Sequence, residues 1–163
     1  MPRPLSATVQ EPSGLSVTDT VGVVYDPIRD ELFSAIAGRD AELNGRPLTP
    51  GDPGDLGHAL ISTGFGYDPE RRRLQVEEAA AVIPAARDIR RCGSAALDLA
   101  WCAAGRSDGY WERGVQRWDI AAGEVVCAAA GRTVGRLEPM GQLPACTLVA
   151  APSVAPELRA RVR

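Results

Sequence analysis

The most informative segment of the chain reads Tyr110-Trp111-Glu112-Arg113-Gly114-Val115-Gln116-Arg117-Trp118-Asp119-Ile120-Ala121-Ala122-Gly123. Its first residues are typical of a short β-strand that carries a carboxylate, Glu112, and its second half is typical of a helix. A second carboxylate, Asp119, stands at the predicted start of this helix, where an acidic side chain can accept backbone N–H bonds. The segment therefore predicts a strand, a turn and a helix that aim two acidic groups into one cleft.

Length and composition indicate one globular domain. The chain has 163 residues, of which 45% are hydrophobic and 24% charged, so it can bury a core of ordinary size. The net charge is −3, and all 18 basic residues are arginine. Nucleic-acid binding needs a concentrated basic face, whereas the one basic run, Arg71-Arg72-Arg73, is more typical of a solvated helix start. We therefore predict no nucleic-acid partner.

The cysteines and the hydropathy of the chain exclude further classes of protein. Cys92, Cys102, Cys127 and Cys146 form no CxxC pair, which argues against a zinc knuckle, a redox motif or a disulfide scaffold and predicts buried free thiols. No segment approaches the ~20 apolar residues that a spanning helix needs, and the amino terminus lacks an apolar run of secretory length. The sequence predicts a cytoplasmic protein with no membrane partner.

Residues 1–48 are predicted to form a β-hairpin or a meander. Residues 20–25 are rich in β-branched side chains, a turn follows, and residues 31–35 return as a second strand. A weakly alternating segment at 5–10 predicts an earlier strand. Asn44-Gly45 is typical of a type I′ turn, which requires positive φ angles at both positions.

The second part of the chain alternates strands with helices. Residues 49–58, rich in Pro, Gly and Asp, are the predicted linker, and residues 59–163 form the predicted carboxy-terminal α/β domain. The predicted strands of this domain lie at 59–64, 88–92, 107–112, 133–137 and 146–150. Its predicted helices lie at 69–86, 95–104, 119–130 and 156–163. Gly105 and Gly131 suit the left-handed position that ends a helix. The fold class is therefore α/β, or a layered α+β arrangement.

Four blocks of the sequence resemble the inositol monophosphatase family in its bacterial form. They are Gly22-Val23-Val24-Tyr25-Asp26-Pro27, Leu43-Asn44-Gly45-Arg46, Gly93-Ser94-Ala95-Ala96-Leu97-Asp98-Leu99 and Trp118-Asp119-Ile120-Ala121-Ala122-Gly123. The resemblance runs from about residue 21 to the end. It implies a carboxy-terminal portion of a five-layered αβαβα sandwich. It also implies a hydrolase of inositol phosphate, a magnesium-dependent phosphomonoesterase that is usually homodimeric.

The resemblance also assigns roles to individual residues. It makes Asp119 a Mg²⁺ ligand that lies beside the phosphate and the sugar, and it makes Glu112 a contact for substrate hydroxyls. It places the backbone of Gly93, Ser94 and Ala95 at the wall of the substrate pocket. Mg²⁺ prefers hard oxygen ligands, so a carboxylate at a helix start is a suitable contributor, but phosphate hydrolysis needs several such groups converging on the metal.

The expected metal ligands are where the chain departs from the family pattern. Members carry, upstream of the first hairpin, a glutamate pair and an Asp-Pro-x-Asp-Gly-Thr block, whereas the upstream acids here are Glu11 and Asp19. No catalytic set is complete on this chain. We therefore expect a truncated member that is poorly active or inactive alone, and that forms a homodimer or pairs with a chain carrying the missing half.

Alternatives to these assignments remain open. Asp119 can be an ordinary helix N-cap, Glu112 a solvated acid at a strand end, and Ser94 only the N-cap of a strand-to-helix turn. The chain can be a non-catalytic remnant or a dimerising interaction module rather than an enzyme. A nucleotide 3′-phosphate or another sugar phosphate is the alternative substrate.

Several other side chains are predicted to serve structure rather than function. His58, the single histidine, is expected at the surface. Glu77 and Glu78 are expected to form surface charge pairs with the preceding arginines. Asp98 is expected to be a structural hydrogen-bonding group inside a helix, and the three tryptophans, Trp118 among them, to fill the core or an interface.

Overall fold

The computed structural model describes residues 21–162, and two hairpins form the first of its sheets. This sheet, here called sheet A, is antiparallel and has the strand order β1-β2-β3-β4. Its strands are β1 (Val21–Asp26), β2 (Glu31–Ile36), β3 (Glu42–Leu43) and β4 (Arg46–Pro47). The predicted hairpin is confirmed. The predicted strand at 5–10 and the upstream acids Glu11 and Asp19 lie outside the described residues.

The Asn-Gly turn between β3 and β4 has the predicted geometry. Asn44 has a φ of 50° and Gly45 a φ of 75°, as a type I′ turn requires. The Asn44 side chain also ties the turn to the first hairpin, because its Oδ1 accepts from the Leu32 N–H at 2.7 Å. Its Nδ2 donates to the Asp30 carbonyl at 2.9 Å.

Sheet B, the second sheet, combines parallel and antiparallel strands in the order β6-β5-β7-β9-β8. Its strands are β5 (Leu60–Thr63), β6 (Asp88–Arg90), β7 (Gly109–Arg113), β8 (Thr133–Leu137) and β9 (Cys146–Ala150). β6, β5 and β7 run parallel, and β9 and β8 are antiparallel to their neighbours. The five predicted strands are all present, and those at 133–137 and 146–150 match to the residue.

The helices match the prediction except at some ends. They are α1 (Pro69–Val82), α2 (Ala95–Ala103), α3 (Arg117–Ala129) and α4 (Ala155–Arg161). The prediction for the first was too long, because Pro84 has no N–H to continue the helical ladder. Gly105 and Gly131 have φ angles of 75° and 81°, so the predicted helix-ending glycines are confirmed.

The described residues stack in layers around two cores. One core lies between the sheets, where α2 and α3 pack, and includes Phe33, Leu99 and Ile120. The other lies on the far side of sheet B, beneath α1 and α4, and includes Ile61 and Leu158. The order is sheet, helix pair, sheet, helix pair, so the predicted layered α/β class is confirmed. The division at 49–58 stays a prediction.

The exposure of the cysteines and of the single histidine agrees with the sequence except at one thiol. Cys92 is exposed, so the prediction of a buried thiol is wrong there, whereas Cys102, Cys127 and Cys146 are buried. His58 is exposed, as predicted. Among the described helices, none has the length and apolar character needed to cross a membrane.

The surface pairing predicted for the two glutamates of α1 is right for one and wrong for the other. Glu77 lies on the surface, 3.0 Å from the Arg73 guanidinium. Glu78 is buried and lies 2.7 Å from the guanidinium of Arg113 on β7. Sequence spacing placed both residues near the arginines of α1, but Glu78 lies on the face of the helix that packs on sheet B.

The outer face of sheet A is apolar and open. It consists of Val21, Val23, Tyr25, Leu32 and Ile36, which are 42% to 60% exposed. They share one face because side chains alternate along a strand and because β1 and β2 pair in register. Apolar patches of this kind mark contact surfaces or sites of aggregation.

We expect the chain to self-associate through this outer face of sheet A. Val23→Thr keeps a β-branched side chain but makes the face more polar, so it should weaken the association several-fold in sedimentation velocity over a concentration series. Val76→Thr on α1 is the matched control, because Val76 is 54% exposed and Val23 is 52% exposed. A wild-type chain that stays a monodisperse monomer at all concentrations would contradict the expectation.

Candidate functional site

Three parallel strands of sheet B end at the same edge of the sheet. β5 ends at Thr63, β6 at Arg90 and β7 at Arg113, and each is followed by a loop and the start of a helix. Ligands of open α/β sheets bind at the carboxyl ends of the strands. This edge therefore collects the residues that the sequence singled out, although they come from separate segments of the chain.

Glu112 is the next-to-last residue of β7 and lies on the face of sheet B that packs against α2 and α3. It is half-buried, and its Oε2 accepts a hydrogen bond from the Tyr110 hydroxyl at 2.8 Å. Burial raises the pKa of the Glu112 carboxyl, and the negative charges of Asp98 and Asp119 act in the same direction, while Arg91 opposes them. The alternative of a fully solvated acid at a strand end is therefore wrong.

Asp119 lies in the first turn of α3 and is exposed. The prediction that it opens the helix is wrong by two residues, because α3 begins at Arg117 and Gln116 is the N-cap. The N-cap alternative for Asp119 fails for the same reason, and its own N–H donates to the Gln116 carbonyl at 3.0 Å. A carboxylate in the first turn still interacts favourably with the helix dipole. Its side chain is left accessible to a ligand.

Trp118, next to Asp119, is 80% exposed. Trp118 therefore does not fill the core, and its predicted place at an interface stays a prediction, whereas Trp111 on β7 is 3% exposed and belongs to the core.

The Gly93-Ser94-Ala95 segment leads from β6 into α2. Gly93 has a φ of 93°, and an added Cβ would meet no atom within 4 Å, so the glycine is needed for backbone conformation and faces open space. Ser94 is the N-cap, accepting from the Leu97 N–H at 3.4 Å. The cap alternative for Ser94 is thus confirmed, and it is compatible with a pocket wall because capping uses only the hydroxyl.

Asp98, on the next turn of α2, is 1% exposed. Burial raises the pKa of its carboxyl, against the opposing influence of Cys92, Ser62 and Arg91. Its Oδ1 has no hydrogen-bond partner among the described residues. Side-chain hydrogen bonds with Cys92 and Ser62 nevertheless support the prediction that Asp98 is a structural hydrogen-bonding group. The negative charge of Asp98 also contributes to the raised pKa of Glu112.

Tyr110 and Gly64 also border Glu112, and neither was predicted from the sequence to belong to the site. Tyr110 is fully buried, and Gly64 follows β5 in the loop beside β7. The signal for Tyr110 was its place two residues before Glu112 on the same strand, which puts both on one face. For Gly64 the signal was a glycine directly after a parallel strand, which becomes informative only when the neighbour of that strand is known.

The acidic side chains suit Mg²⁺ chemically but do not complete a site. Glu112 and Asp119 offer hard oxygen ligands. Among residues 21–162, however, no three His, Cys, Asp or Glu side chains come close enough together to hold one metal ion. The described residues therefore fit a contribution to a magnesium centre and do not by themselves hold the ion.

Comparisons with known proteins identify the family. The model of the inositol monophosphatase family matches residues 14–162. The chain belongs to this family. The Nus factor SuhB of Pasteurella multocida is 47% identical over 115 residues, which are 70% of this chain and 43% of the relative. The inositol-1-monophosphatase SuhB of Mycobacterium tuberculosis is 44% identical over 147 residues, which are 87% of this chain and 51% of the relative.

Solved structures of family members share the fold. The structure of Mycobacterium tuberculosis SuhB superposes with a TM-score of 0.80 and 40% identity, covering 91% of this chain and 59% of that chain. The inositol monophosphatase resemblance is therefore confirmed both by sequence and by fold. The chain spans about half the length of the curated relatives it matches.

Proposed function

We propose that this inositol monophosphatase family chain supplies the substrate-recognition wall of a magnesium-dependent phosphomonoester hydrolase that acts on inositol phosphate. The observation that supports it best is the meeting of Glu112, Asp119 and the Gly93-Ser94-Ala95 turn at one edge of sheet B. The relative from Mycobacterium tuberculosis is named an inositol-1-monophosphatase. Small phosphomonoesters are the substrate class that this edge would bind.

Each group at the edge has a chemical task in this proposal. The Glu112 carboxylate accepts hydrogen bonds from substrate hydroxyls, which are stronger when the acceptor is charged and partly removed from water. The Gly93-Ser94-Ala95 backbone, which leads into α2, forms part of the wall of the substrate pocket in this proposal. Asp119 lies close enough to influence the Glu112 carboxyl electrostatically. The proposed metal ligand and the proposed contact for substrate hydroxyls are therefore neighbours.

Among the described residues, Asp119 is the one that we propose as a ligand of Mg²⁺. We propose that further carboxylate ligands of the ion come from outside residues 21–162, within which no group of three acidic, histidine or cysteine side chains forms. We propose that the 163-residue chain is poorly active or inactive by itself. A homodimer, or pairing with a chain that carries further carboxylates, is the proposed way to complete the centre.

A binding and turnover experiment tests this function. Inositol 1-phosphate should shift the backbone amide NMR signals of Ser94, Glu112 and Asp119. Glu112→Gln should weaken binding roughly 10-fold, since it replaces a charged acceptor by a neutral one, a difference of about 1–1.5 kcal/mol. Phosphate release with Mg²⁺ should stay at least about 100-fold below that of the Mycobacterium tuberculosis relative assayed alongside, since a missing group that stabilises developing charge typically costs that much.

Control variants distinguish binding at the proposed site from binding elsewhere on the surface. Asp40→Asn, an exposed acid on sheet A's connecting loop, should leave the binding of inositol 1-phosphate unchanged. Amide shifts confined to another face would contradict the site. Magnesium-dependent turnover by the pure chain that disappears in Asp119→Asn would contradict the proposed incompleteness. A tighter complex with a nucleotide 3′-phosphate or another sugar phosphate would favour that alternative substrate.

A non-catalytic interaction module is the second candidate function. The open outer face of sheet A favours it, as does the name Nus factor borne by the Pasteurella multocida relative. The test is mixing with a full-length family member, followed by size-exclusion chromatography. Failure to co-elute would argue against this candidate. The cytoplasmic location and the lack of a nucleic-acid partner stay predictions.

A further inference from the structure

The backbone of Gly64 lies directly against the Glu112 carboxyl group. A Cβ added at Gly64 would stand 2.2 Å from Cδ and Oε2 of Glu112 and 2.3 Å from Oε1. These distances are far below van der Waals contact, and the three nearest atoms all belong to that one carboxyl group. Gly64 is absent from the glycines with positive φ. Glycine is therefore required here for space and not for backbone conformation.

The loop that carries Gly64 is held in place on its other sides. The Gly66 N–H donates to Oε1 of Gln75 at 2.8 Å, and Gln75 is 3% exposed. Arg72 donates to the carbonyls of Gly66 and Tyr67, at 3.1 Å in each case. Because the loop is tied to α1 at three points, an enlarged residue 64 would displace the tip of the Glu112 side chain rather than the loop.

The carboxyl group is held from a second direction by Tyr110. The tyrosine hydroxyl donates to Oε2 at 2.8 Å, and the ring is fully buried in the core between the sheets. Thr63, the residue before Gly64, donates from its Oγ1 to the Trp111 carbonyl at 2.8 Å, which locks the ends of β5 and β7 together. Glu112 is thus confined between a fixed hydroxyl and a fixed backbone.

We propose that Gly64 is a positioning residue that sets where the Glu112 carboxylate meets the substrate hydroxyls. The inference rests on the proposed function for the identity of the ligand, and on the observed packing for the positioning itself. The bare backbone at Gly64 allows the carboxylate to lie against the loop. A side chain at position 64 would displace the carboxylate from this place and so weaken its contact with the substrate hydroxyls.

The first experiment measures the position of the carboxyl group directly in the full chain. The ¹³C signals of Glu112 Cδ and Tyr110 Cζ should both move in Gly64→Ala, because the hydrogen bond between these side chains is disturbed. Gly66→Ala in the same loop is the matched control, since the three atoms nearest to its Cβ would be Cδ and Cγ of Arg71, at 3.2 and 3.8 Å, and Oε1 of Gln75, at 3.4 Å. Unchanged signals in Gly64→Ala would overturn the proposal.

A double-mutant comparison tests whether Gly64 acts through Glu112. In wild type, Gly64→Ala should lower the melting temperature measurably, whereas in a Glu112→Ala background, which lacks the carboxyl group, it should not, because the two residues are in contact and couple. An equal fall in the melting temperature in both backgrounds would mean that the alanine strains the loop itself, and this result would also overturn the proposal.

A titration with inositol 1-phosphate separates this proposal from the proposed function. If wild type binds the ester, Gly64→Ala should weaken binding about 10-fold or more, as expected for a displaced charged acceptor, and Gly66→Ala should not. Equal binding by wild type and Gly64→Ala overturns the positioning role. If wild type binds no ester, the proposed function fails, while the ¹³C signals still support or overturn the placement of Glu112 by Gly64.

Discussion

Arg113→Met is expected to lower the free energy of unfolding by about 3–5 kcal/mol, because it leaves the charge of Glu78 buried without its partner. Arg113 and Glu78 are 4% and 6% exposed. The Arg113 guanidinium donates to Oε1 of Glu78 at 2.7 Å and to the carbonyls of Pro144 and Val162 at 2.7 and 2.9 Å. One side chain therefore joins β7, α1, the loop before β9 and the end of α4.

The measurement is urea unfolding of the full chain, followed by circular dichroism. Arg73→Met is the matched control, since Arg73 forms an exposed pair with Glu77 at 3.0 Å, and such pairs contribute roughly 0–1 kcal/mol. The double variant Arg113→Met/Glu78→Leu should recover part of the loss, because removing both charges is less costly than stranding one. A loss in Arg113→Met no larger than in Arg73→Met would contradict the role of this buried pair.

Gly22→Ala is expected to destabilise the chain by about 1–3 kcal/mol through overpacking. A Cβ at Gly22 would lie 2.4 Å from the Ala122 carbonyl oxygen, 3.2 Å from the carbonyl carbon of the same residue and 2.8 Å from Cβ of Val125. Two of these atoms belong to the backbone of α3 and the third is the first side-chain carbon of Val125, so no side-chain rotation can move them away. β1 and α3 would have to separate along the core between the sheets.

Gly51→Ala provides the control for Gly22→Ala. A Cβ at Gly51 would meet nothing within 4 Å, and its φ is not in the left-handed region. Replacing it should therefore be neutral or stabilise by up to about 1 kcal/mol, through the unfolded state. The readout is the urea midpoint with an unchanged slope. Equal midpoints for the two variants would show that the approach of β1 to α3 carries no cost.

Gly22 and Gly64 show why close approach has different consequences at different places. Both glycines leave no room for a methyl group. The obstacle at Gly22 is a helix backbone, so the expected effect is on stability. The obstacle at Gly64 is the end of a glutamate side chain, so the expected effect is mainly on the position of a functional group.

Much of the fold could be predicted from local sequence. The strands at 133–137 and 146–150 match β8 and β9 to the residue, because turn residues bound each of them. The Asn44-Gly45 turn was predictable because few other residue pairs adopt two positive φ angles. Helix ends were less predictable. α3 begins two residues before Asp119, and its N-cap, Gln116, makes no side-chain cap hydrogen bond, so none of the usual N-cap residues Ser, Thr, Asp or Asn marks its start.

The candidate site was predictable in its residues but not in its arrangement. Glu112, Asp119 and the Gly93-Ser94-Ala95 turn were singled out by resemblance to the inositol monophosphatase family. Their convergence depends on the order β6-β5-β7 and on the parallel direction of these strands. Neither property is encoded by the residues within any one strand. Gly64 could therefore not be recognised as a neighbour of the Glu112 carboxyl group, whereas the alternation along β7 already placed Tyr110 on the same face as Glu112.

By itself, the sequence determined the family, the succession of strands and helices, the turns and the helix-ending glycines, because these depend on backbone preferences between residues near one another in the chain. Only the tertiary structure decided which side chains lose contact with water and what they then meet. Glu78 pairs with Arg113, 35 residues away. The Glu112 carboxyl group occupies the space that a side chain at Gly64 would need. Such contacts follow from the packing of layers, which brings together groups that no local pattern connects.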